Sequence, residues 1–395
     1  MARTRREFLK VAGAAALGVA APSIVAATTS LGAKSSPAAD SVLGKSSRSA
    51  DAARTPAAAA RNSVDLAAAR QDLRRLVSAR ALVVDDPWVL MHTVLPLGRD
   101  ARHGSEPVVD FVIRTWIEGF SAGGKSYPAF PVRIEAHPNH FLQIMYATAV
   151  PADRRFDCKL GPITRTDLYA GAKALFTPAL QGDELSWTVS VFSAEMAPGA
   201  DGFTNGDGRS FTVAAVVETA AQAAEAGYAD TIAAMRGAKP YGRSAIQGYA
   251  CNGTHVIYGL LDALRHGYRD GQLPDRVTTL VRAALFRLGP EVALIDEAIG
   301  GAGKAEAELN ADAAKLQFLG HSLENLAFAR EHALYRTSPV EEEAVAAAER
   351  ELAAVAHRLV AKHDLDGLAR QVPRAYRVIL GDACHALHGL ESGRI

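Results

Sequence analysis

The sequence predicts an all-α protein and, more specifically, an α/α toroid, which is a barrel of antiparallel helix pairs. Apolar residues recur at three- and four-residue spacing through most of the chain, as in helices that bury one face. Convincing alternation at period two is nearly absent, so short irregular or minor β structure is expected only near residues 121–137. About a dozen helical segments follow one another through short polar turns, and the lack of a fixed-period repeat disfavours an open solenoid.

Residues 1–27 are predicted to be a twin-arginine signal peptide. Residues 4–10 read TRREFLK, a polar residue followed by the pattern R-R-x-F-L-K, and an Ala/Gly-rich apolar stretch comes next. Val25 and Ala27 suit a cleavage site of the A-x-A type, which makes Thr28 the first mature residue. We therefore expect a periplasmic or secreted protein that meets the twin-arginine translocase during export.

Residues 28–63 are rich in Ala, Ser, Thr and Pro and contain no aromatic residue, so they are predicted to form a disordered linker. Residues 64–395 are then expected to form a single helical toroid domain. Without residues 1–27 the chain carries 39 basic and 42 acidic residues, and a nucleic-acid partner is not expected without a basic excess. No long apolar run follows the signal, so no membrane span is expected after cleavage.

Helix starts are marked by capping residues and prolines. Asn62 and Ser63 are predicted to cap the first helix, Asp86 precedes Pro87, and Glu106 precedes Pro107. Helical periodicity covers the following ranges: 66–82, 88–97, 108–120, 141–150, 163–176, 184–196, 211–227, 254–268, 275–288, 292–300, 314–334, 338–363 and 372–390.

Common functional motifs find no support in the sequence. It contains no G-x-G-x-x-G. Residues 119–126 read GFSAGGKS and fit both G-x-S-x-G and G-x-x-x-x-G-K-[ST], but they follow a predicted helix and run into the predicted β segment. Both motifs need a strand before them and a helix after them, so neither phosphate-cradle nor serine-hydrolase chemistry is supported. The segment 201–212 resembles a calcium loop, but Phe203 and Thr212 stand where oxygen ligands belong. This segment is predicted to be a tight turn before a helix.

Two polar clusters precede apolar helices. In the first, His137 and His140 are three residues apart and Asn139 is a candidate helix cap. The second reads CNGTH over residues 251–255, with Tyr258 one turn further along. His140, Asn252 and Tyr258 are predicted to bind a ligand, and Cys251 is a candidate metal ligand. Capping and core packing are the alternative explanation for both clusters.

Two more clusters interrupt apolar helices near the C-terminus. His321 and Glu324 share one helical face, and a carboxylate beside an imidazole suits a general base or a supported metal ligand. His255, His321 and Glu324 are therefore the predicted catalytic residues, with His255 and His321 close enough for one ligand to touch both. The metal prediction adds His385 and His388 to Cys251. An ion pair within the helix, or favourable charge at a helix end, is the alternative.

Cysteine and histidine ligands on different helices make zinc the candidate cofactor. No tight pair such as C-x-x-C or H-E-x-x-H is present to specify it. Three cysteines are also too few for a disulfide framework.

The order of phrases from HPNHFLQIMYATAVP to YACNGTHVIYGLL and GDACHALHGL resembles a group of uncharacterised exported bacterial proteins with all-helical folds. The resemblance covers roughly residues 85–390 and implies a fold rather than an activity. The Cys/His content is distantly similar to lanthionine-synthetase cyclases, which are zinc-bearing α/α toroids. Their Trp-Cys and Cys-His-Gly signatures are missing, since Ala386 follows His385. Toroidal polysaccharide lyases, which use Asn, His, Tyr and Arg, are a second distant comparison, and Asn252, His255 and Tyr258 supply three of these types.

Three classes of function remain open from the sequence. The first is an enzyme with a polar central cavity that acts on a glycan or peptide-like envelope substrate. The second is a protein that binds a small molecule or envelope polymer in that cavity without catalysis. The third is a structural envelope protein whose histidines only cap and pack. Convergence of the histidines in one place distinguishes the first two from the third.

Overall fold

Helices make up most of the chain in the computed structural model, which describes residues 3–4, 56–180, 182–299 and 304–392. This confirms the all-α prediction. The described residues contain fourteen α-helices: α1 Pro56–Ala79, α2 Pro87–Leu97, α3 Val108–Trp116, α4 Val132–Glu135, α5 His140–Ala147, α6 Arg165–Leu175, α7 Ser186–Glu195, α8 Val213–Met235, α9 Thr254–Arg265, α10 Leu273–Ile299, α11 Lys304–Glu331, α12 Pro339–Ala361, α13 Leu365–Gln371 and α14 Pro373–Ser392.

The first helix begins earlier than predicted. It starts at Pro56, inside the segment predicted to be disordered, and not at Ser63. Proline suits the first helical position, and the alanines that follow have the highest helix propensity. The composition that predicted a linker therefore also favours the start of a helix. The rest of the predicted linker and the signal peptide lie outside the described residues, apart from Arg3–Thr4.

Other helix starts follow the predicted chemistry. Asp86 accepts a hydrogen bond from the backbone N–H of Val89 at 3.0 Å, with Pro87 in the first turn of α2. Ser338 and Glu341 form a reciprocal capping box at the start of α12. The local sequence thus fixes where these helices begin.

Short strands form small sheets between the helices. Their bounds are β1 Arg3–Thr4, β2 Arg102–His103, β3 Glu106–Pro107, β4 Glu118–Ala122, β5 Lys125–Ala129, β6 Arg155–Cys158, β7 Gly161–Thr164, β8 Gly202–Thr204 and β9 Ser210–Thr212. The hairpins are β2–β3, β4–β5, β6–β7 and β8–β9, and β1 pairs with β4 in parallel.

The β4–β5 hairpin overlaps the predicted β segment near residues 121–137, whereas the other hairpins were not predicted. Gly123 and Gly124 both have positive φ, as a two-residue hairpin turn requires. In the loop that resembles a calcium site, the side-chain oxygen of Asn205 accepts the N–H groups of Asp207 and Arg209. This closes the tight β8–β9 turn predicted there.

Six helices contact one another in a closed order. Helix α2 contacts α5, α5 contacts α7, α7 contacts α9, α9 contacts α11, α11 contacts α14, and α14 returns to α2. These six, called the ring helices below, alternate along the chain with α1, α3, α6, α8, α10 and α12, apart from the short helices α4 and α13. The toroid itself stays a prediction.

A continuous apolar core runs from Ala69 in α1 to Leu390 in α14, and a small second cluster includes Phe120 of β4 and Val132 of α4. No helix in the described ranges is long and apolar enough to cross a membrane.

Candidate functional site

Histidines from the ring helices meet in one buried cluster. His92 lies on α2, His140 on α5, His255 on α9, His321 on α11 and His385 on α14. Each is at most 3% exposed. These five residues are called the histidine cluster. Because five of the six ring helices place a histidine here, residues that are up to 293 positions apart in sequence become neighbours.

Three members of the cluster form an all-histidine trio. His92 lies between the other two, with ring centroids 4.8 Å from His140 and 4.9 Å from His385. One ring nitrogen from each lies within 4.8 Å of the others. Ligand atoms around tetrahedral zinc are roughly 3.3–3.7 Å apart, given bonds of about 2.0–2.3 Å. The trio can therefore reach a common ion with a small inward movement.

Hydrogen bonds fix the orientation of three rings in the cluster. The Nδ1 atom of His92 lies 2.5 Å from the carbonyl oxygen of Trp88, and that of His321 lies 2.8 Å from the carbonyl oxygen of Gln317. His385 Nδ1 lies 2.7 Å from the Glu324 carboxylate. Since a carbonyl or carboxylate oxygen accepts, Nδ1 carries the proton and Nε2 keeps its lone pair. This is the support that metal-binding imidazoles usually have.

A second trio lies beside the first. Cys251, His255 and His321 each offer one ligand atom, and these atoms also lie within 4.8 Å of one another. The rings of His255 and His321 are 5.0 Å apart, so these two predicted catalytic residues do come together. The rings of His321 and His385 are only 3.9 Å apart, which places the two trios side by side.

Cys251, a member of the second trio, lies in a left-handed turn of the backbone. Cys251, Asn252 and Gly253 have φ values of 47°, 56° and 73°. This conformation is unfavourable for Cys251, which carries a Cβ, and less so for asparagine. Arg287, which is fully buried, donates from Nη1 to the carbonyl oxygen of Asn252 at 2.8 Å. Glu291 in turn accepts from Arg287 at 3.0 Å, so a buried ion pair supports the turn.

Glu324 supports different histidines from the one predicted. It was expected to orient His321 on its own helix, but its two carboxylate oxygens accept from His385 and His388 on α14, each at 2.7 Å. The ring helices α11 and α14 pack so closely here that a Cβ on Gly389 would lie 2.6 Å from the backbone nitrogen of Glu324. The packing of these two helices therefore determines which histidines Glu324 bonds, and residue spacing along one helix cannot show it.

The predicted metal set of Cys251, His385 and His388 is not one site. Cys251 and His385 belong to different trios, and His388 belongs to neither. Burial alone would lower the pKa of His388, but the hydrogen bond and charge of Glu324 raise it above its ordinary value. His388 therefore forms an ion pair with Glu324 at the edge of the cluster.

The predicted ligand-binding residues take different places. His140 belongs to the all-histidine trio, whereas Asn252 uses its backbone carbonyl to bind Arg287. Tyr258 borders the cluster through Trp187, with ring centroids 5.6 Å apart, and its hydroxyl accepts from Gln143 at 3.4 Å.

Sequence reasoning missed His92 and Trp187. His92 is a single polar residue in the apolar helix PWVLMHTVLPL, and this contrast is the signal that could have identified it. Trp187 stacks on His140 with ring centroids 4.7 Å apart and planes 10° from parallel. It also lies 4.7 Å from His255, so one indole contacts both trios.

The start of α5 is also capped differently from the prediction. Asn139 adopts the left-handed conformation and its side-chain amide donates to Thr188 at 2.8 Å, so it does not cap the helix. The carboxylate of Glu135 accepts the backbone N–H groups of Asn139 and Phe141 instead. Burial raises the pKa of Glu135 to about 8, against the lowering effect of these hydrogen bonds.

Burial keeps the cluster in its neutral form. It lowers the pKa of His92 and of His321 to about 4. Burial, followed by repulsion from neighbouring imidazoles, lowers the pKa of His140, His255 and His385 well below the ordinary value. The rings are therefore unprotonated near neutral pH, the state in which imidazole binds metals.

Several buried atoms of the cluster lack a hydrogen-bond partner in the described chain. Both ring nitrogens of His140 and of His255, and Nε2 of His385, are in this state, as is Nε1 of Trp187. Buried polar atoms without partners are costly, and each one calls for an explanation such as an ion or water. Their concentration at one place is what an ion-binding site would produce.

The cavities beside the cluster are small. One of about 30 Å³ is lined in part by Glu135, Pro138 and Asn139, and another of about 20 Å³ by Thr254 and Ser322. Ordinary ligand pockets hold roughly 300–1,000 Å³, whereas a space of about 10–15 Å³ is enough for one water molecule. These two spaces therefore admit water-sized molecules and not a saccharide.

No protein-family model matches this chain, and no curated protein or solved structure is significantly similar to it. What the site can bind therefore follows from its own residues.

Proposed function

We propose that this protein is an exported metalloprotein that binds a late first-row transition-metal ion, zinc or copper, at the all-histidine trio of His92, His140 and His385. The observation that carries this is the convergence of three buried, neutral imidazoles whose ligand nitrogens lie within 4.8 Å of one another. Packing alone does not account for so many buried nitrogens without partners.

The ligand chemistry selects the class of metal. Imidazole nitrogens suit zinc, copper, iron and nickel, whereas magnesium and calcium need oxygen ligands, which this trio does not supply. Affinity among divalent ions rises towards copper and remains high for zinc. Three protein ligands leave one tetrahedral position for water or a ligand of similar size, which is the composition of catalytic zinc sites.

The ring helices supply the frame of the site. We propose that they are the inner helices of the α/α toroid, because they contact one another in closed order and alternate with the outer helices. In this arrangement the inner helices surround one axis and their side chains meet there, which explains why the ligands come from α2, α5 and α14.

Export by the twin-arginine route is part of the same proposal. It is supported by the TRREFLK motif and the A-x-A-type cleavage site. The pathway carries folded proteins, so a buried ion can be inserted before transport. Changing Arg5 and Arg6 together to Lys is expected to leave the precursor in the cytoplasm. Normal processing in a strain without the twin-arginine translocase would contradict this.

The metal proposal is tested on the purified mature protein by elemental analysis and titration with zinc or copper. His385→Ala is expected to lose the ion bound by the trio. The control is His103→Ala, since the Nδ1 atom of His103 is also held by an oxygen acceptor, the Leu82 carbonyl, but His103 lies outside the cluster. Equal metal content in wild type and His385→Ala would overturn the proposal, as would wild type that binds no ion at micromolar concentration.

His385→Leu separates metal binding from packing. His385→Leu removes the hydrogen bond to Glu324 as well as the unpartnered Nε2. If the histidines were only core residues, the resulting change in stability would be the same with and without added metal. Under the metal proposal, His385→Leu loses the stabilisation that added metal gives to the wild type, which thermal unfolding with and without metal measures.

A further inference from the structure

We infer that Cys251, His255 and His321 form a second metal site, which takes copper and lies beside the all-histidine site to make a dinuclear centre. The two trios share no residue. The inference therefore rests on the proposed function for its neighbouring ion and not for its own ligands.

The second trio has the ligand types that copper prefers. One thiolate and two imidazoles are the soft and borderline donors of trigonal copper sites in proteins. The ligand atoms lie within 4.8 Å of one another. His321 keeps Nε2 for an ion because the Gln317 carbonyl holds its Nδ1, and both nitrogens of His255 are buried without partners.

The backbone at Cys251 adopts a conformation of raised free energy, which the start of a helix does not require. Cys251 and Asn252 are consecutive non-glycine residues with positive φ. Asparagine adopts this region readily, whereas at Cys251 it costs roughly 1–2 kcal/mol. Ile246 occupies the space that a Cβ on Gly253 would need, so a glycine is required there. Such strain persists where the surrounding structure enforces it, and it is concentrated at functional sites.

A buried polar network enforces this turn. Arg287 reaches the Asn252 carbonyl at 2.8 Å, and the hydroxyl of Tyr228 donates to the Gly253 carbonyl at 3.4 Å. Arg287 also contacts Tyr241, with Nε 3.1 Å from its hydroxyl. The network fixes two successive carbonyls of the turn, so it sets where the Cys251 sulfur lies relative to His255 and His321.

The two sites are near enough to act together. His321 of the second trio and His385 of the first have ring centroids 3.9 Å apart, and Trp187 contacts a histidine of each trio. Ions held by these rings are direct neighbours. Cys251 is partly exposed whereas the histidines are buried, so the second site is the one nearer to solvent.

Copper(II) titration of the mature, metal-free protein tests the inference. Binding to a thiolate gives an intense visible sulfur-to-copper charge-transfer band, which copper on imidazoles alone does not give. Wild type is expected to bind two equivalents and to show the band. Cys251→Ser is expected to bind one equivalent without the band. Cys158→Ser, the matched control at the other partly buried cysteine, is expected to behave as wild type.

The outcomes separate the two proposals. Two equivalents and an unchanged band in Cys251→Ser would overturn the second site. One equivalent without a band in wild type would also overturn it while leaving the all-histidine site in place. One equivalent with the band would support the second site and overturn the first. If Cys251→Ser does not fold, Cys251→Met keeps a sulfur ligand without a thiolate, and a band that persists in it contradicts the inference.

Discussion

Replacing Glu324 by glutamine tests how the centre is supported. Glu324 is 5% exposed, and its carboxylate accepts from Nδ1 of both His385 and His388. Glutamine has nearly the same shape but only one accepting atom, and its amide group would face an N–H donor. One of the two histidines must therefore lose its hydrogen bond or turn its ring.

The size of the effect follows from this contact. Carboxylates that support a metal-binding histidine are worth about 10- to 100-fold in metal affinity, which is roughly 1.4–2.7 kcal/mol. Because His385 Nδ1 has Glu324 as its partner at 2.7 Å, Glu324→Gln is expected to weaken binding at the all-histidine trio by this amount. The hydrogen bonds to the charged group contribute about 1.5–3 kcal/mol each to stability in the absence of metal.

Competition against a chromophoric chelator measures the affinity, and urea unfolding of the metal-free protein measures the stability. Glu351→Gln is the matched control, because Glu351 also accepts from two side chains, Lys315 and Arg358, but lies outside the ring helices. An affinity for Glu324→Gln within twofold of the control would refute the role assigned to this carboxylate.

Three further predictions concern packing, the turn and pH. Gly389→Ala is expected to destabilise the protein by about 1–3 kcal/mol in urea unfolding, because the new methyl group meets the backbone of α11; an unchanged midpoint would contradict this packing. Gly253→Ala is expected to cost at least about 1–2 kcal/mol and to weaken the sulfur-to-copper band, and a band of full strength would contradict the role of the turn. The metal-free protein is expected to lose stability as pH falls from about 6.5 to about 4, by roughly 3 kcal/mol for each of His92 and His321. The sign follows because their folded-state pKa is below the unfolded value, so the unfolded chain binds more protons in this window. Glu135, with its pKa raised to about 8, and Asp382, whose pKa burial raises well above its ordinary value, act in the opposite direction. Urea unfolding across this range therefore compares wild type with His92→Gln, and an unchanged pH dependence in the variant would show that His92 is not buried in neutral form.

Local chemistry predicted the helices well. The apolar spacing of 3.6 residues is a property of each segment alone, and signals such as Asp86 before Pro87 act within one turn. The start of α1 was placed too late, because an Ala-rich segment has the composition of a linker and also the propensity of a helix. The hairpins were mostly missed, since strands of two to four residues are too short to show alternation.

The sequence predicted which residues belong to the candidate site better than it predicted which residues they contact. His140, His255, His321 and His385 stood out as polar residues beside apolar helices, and all four lie in the cluster. The bond from His385 to Glu324 spans 61 positions in sequence and depends on the crossing of two helices. His92 resembles an ordinary core residue until its neighbours in space are known.

X-ray diffraction from crystals of the metal-loaded mature protein, recorded on both sides of the copper and zinc absorption edges, tests the central claim most directly. The account predicts an anomalous peak about 2 Å from a ring nitrogen of each of His92, His140 and His385, and a second peak about 2.3 Å from the sulfur of Cys251. Peaks found only at exposed histidines such as His357, with none among the ring helices, would contradict it.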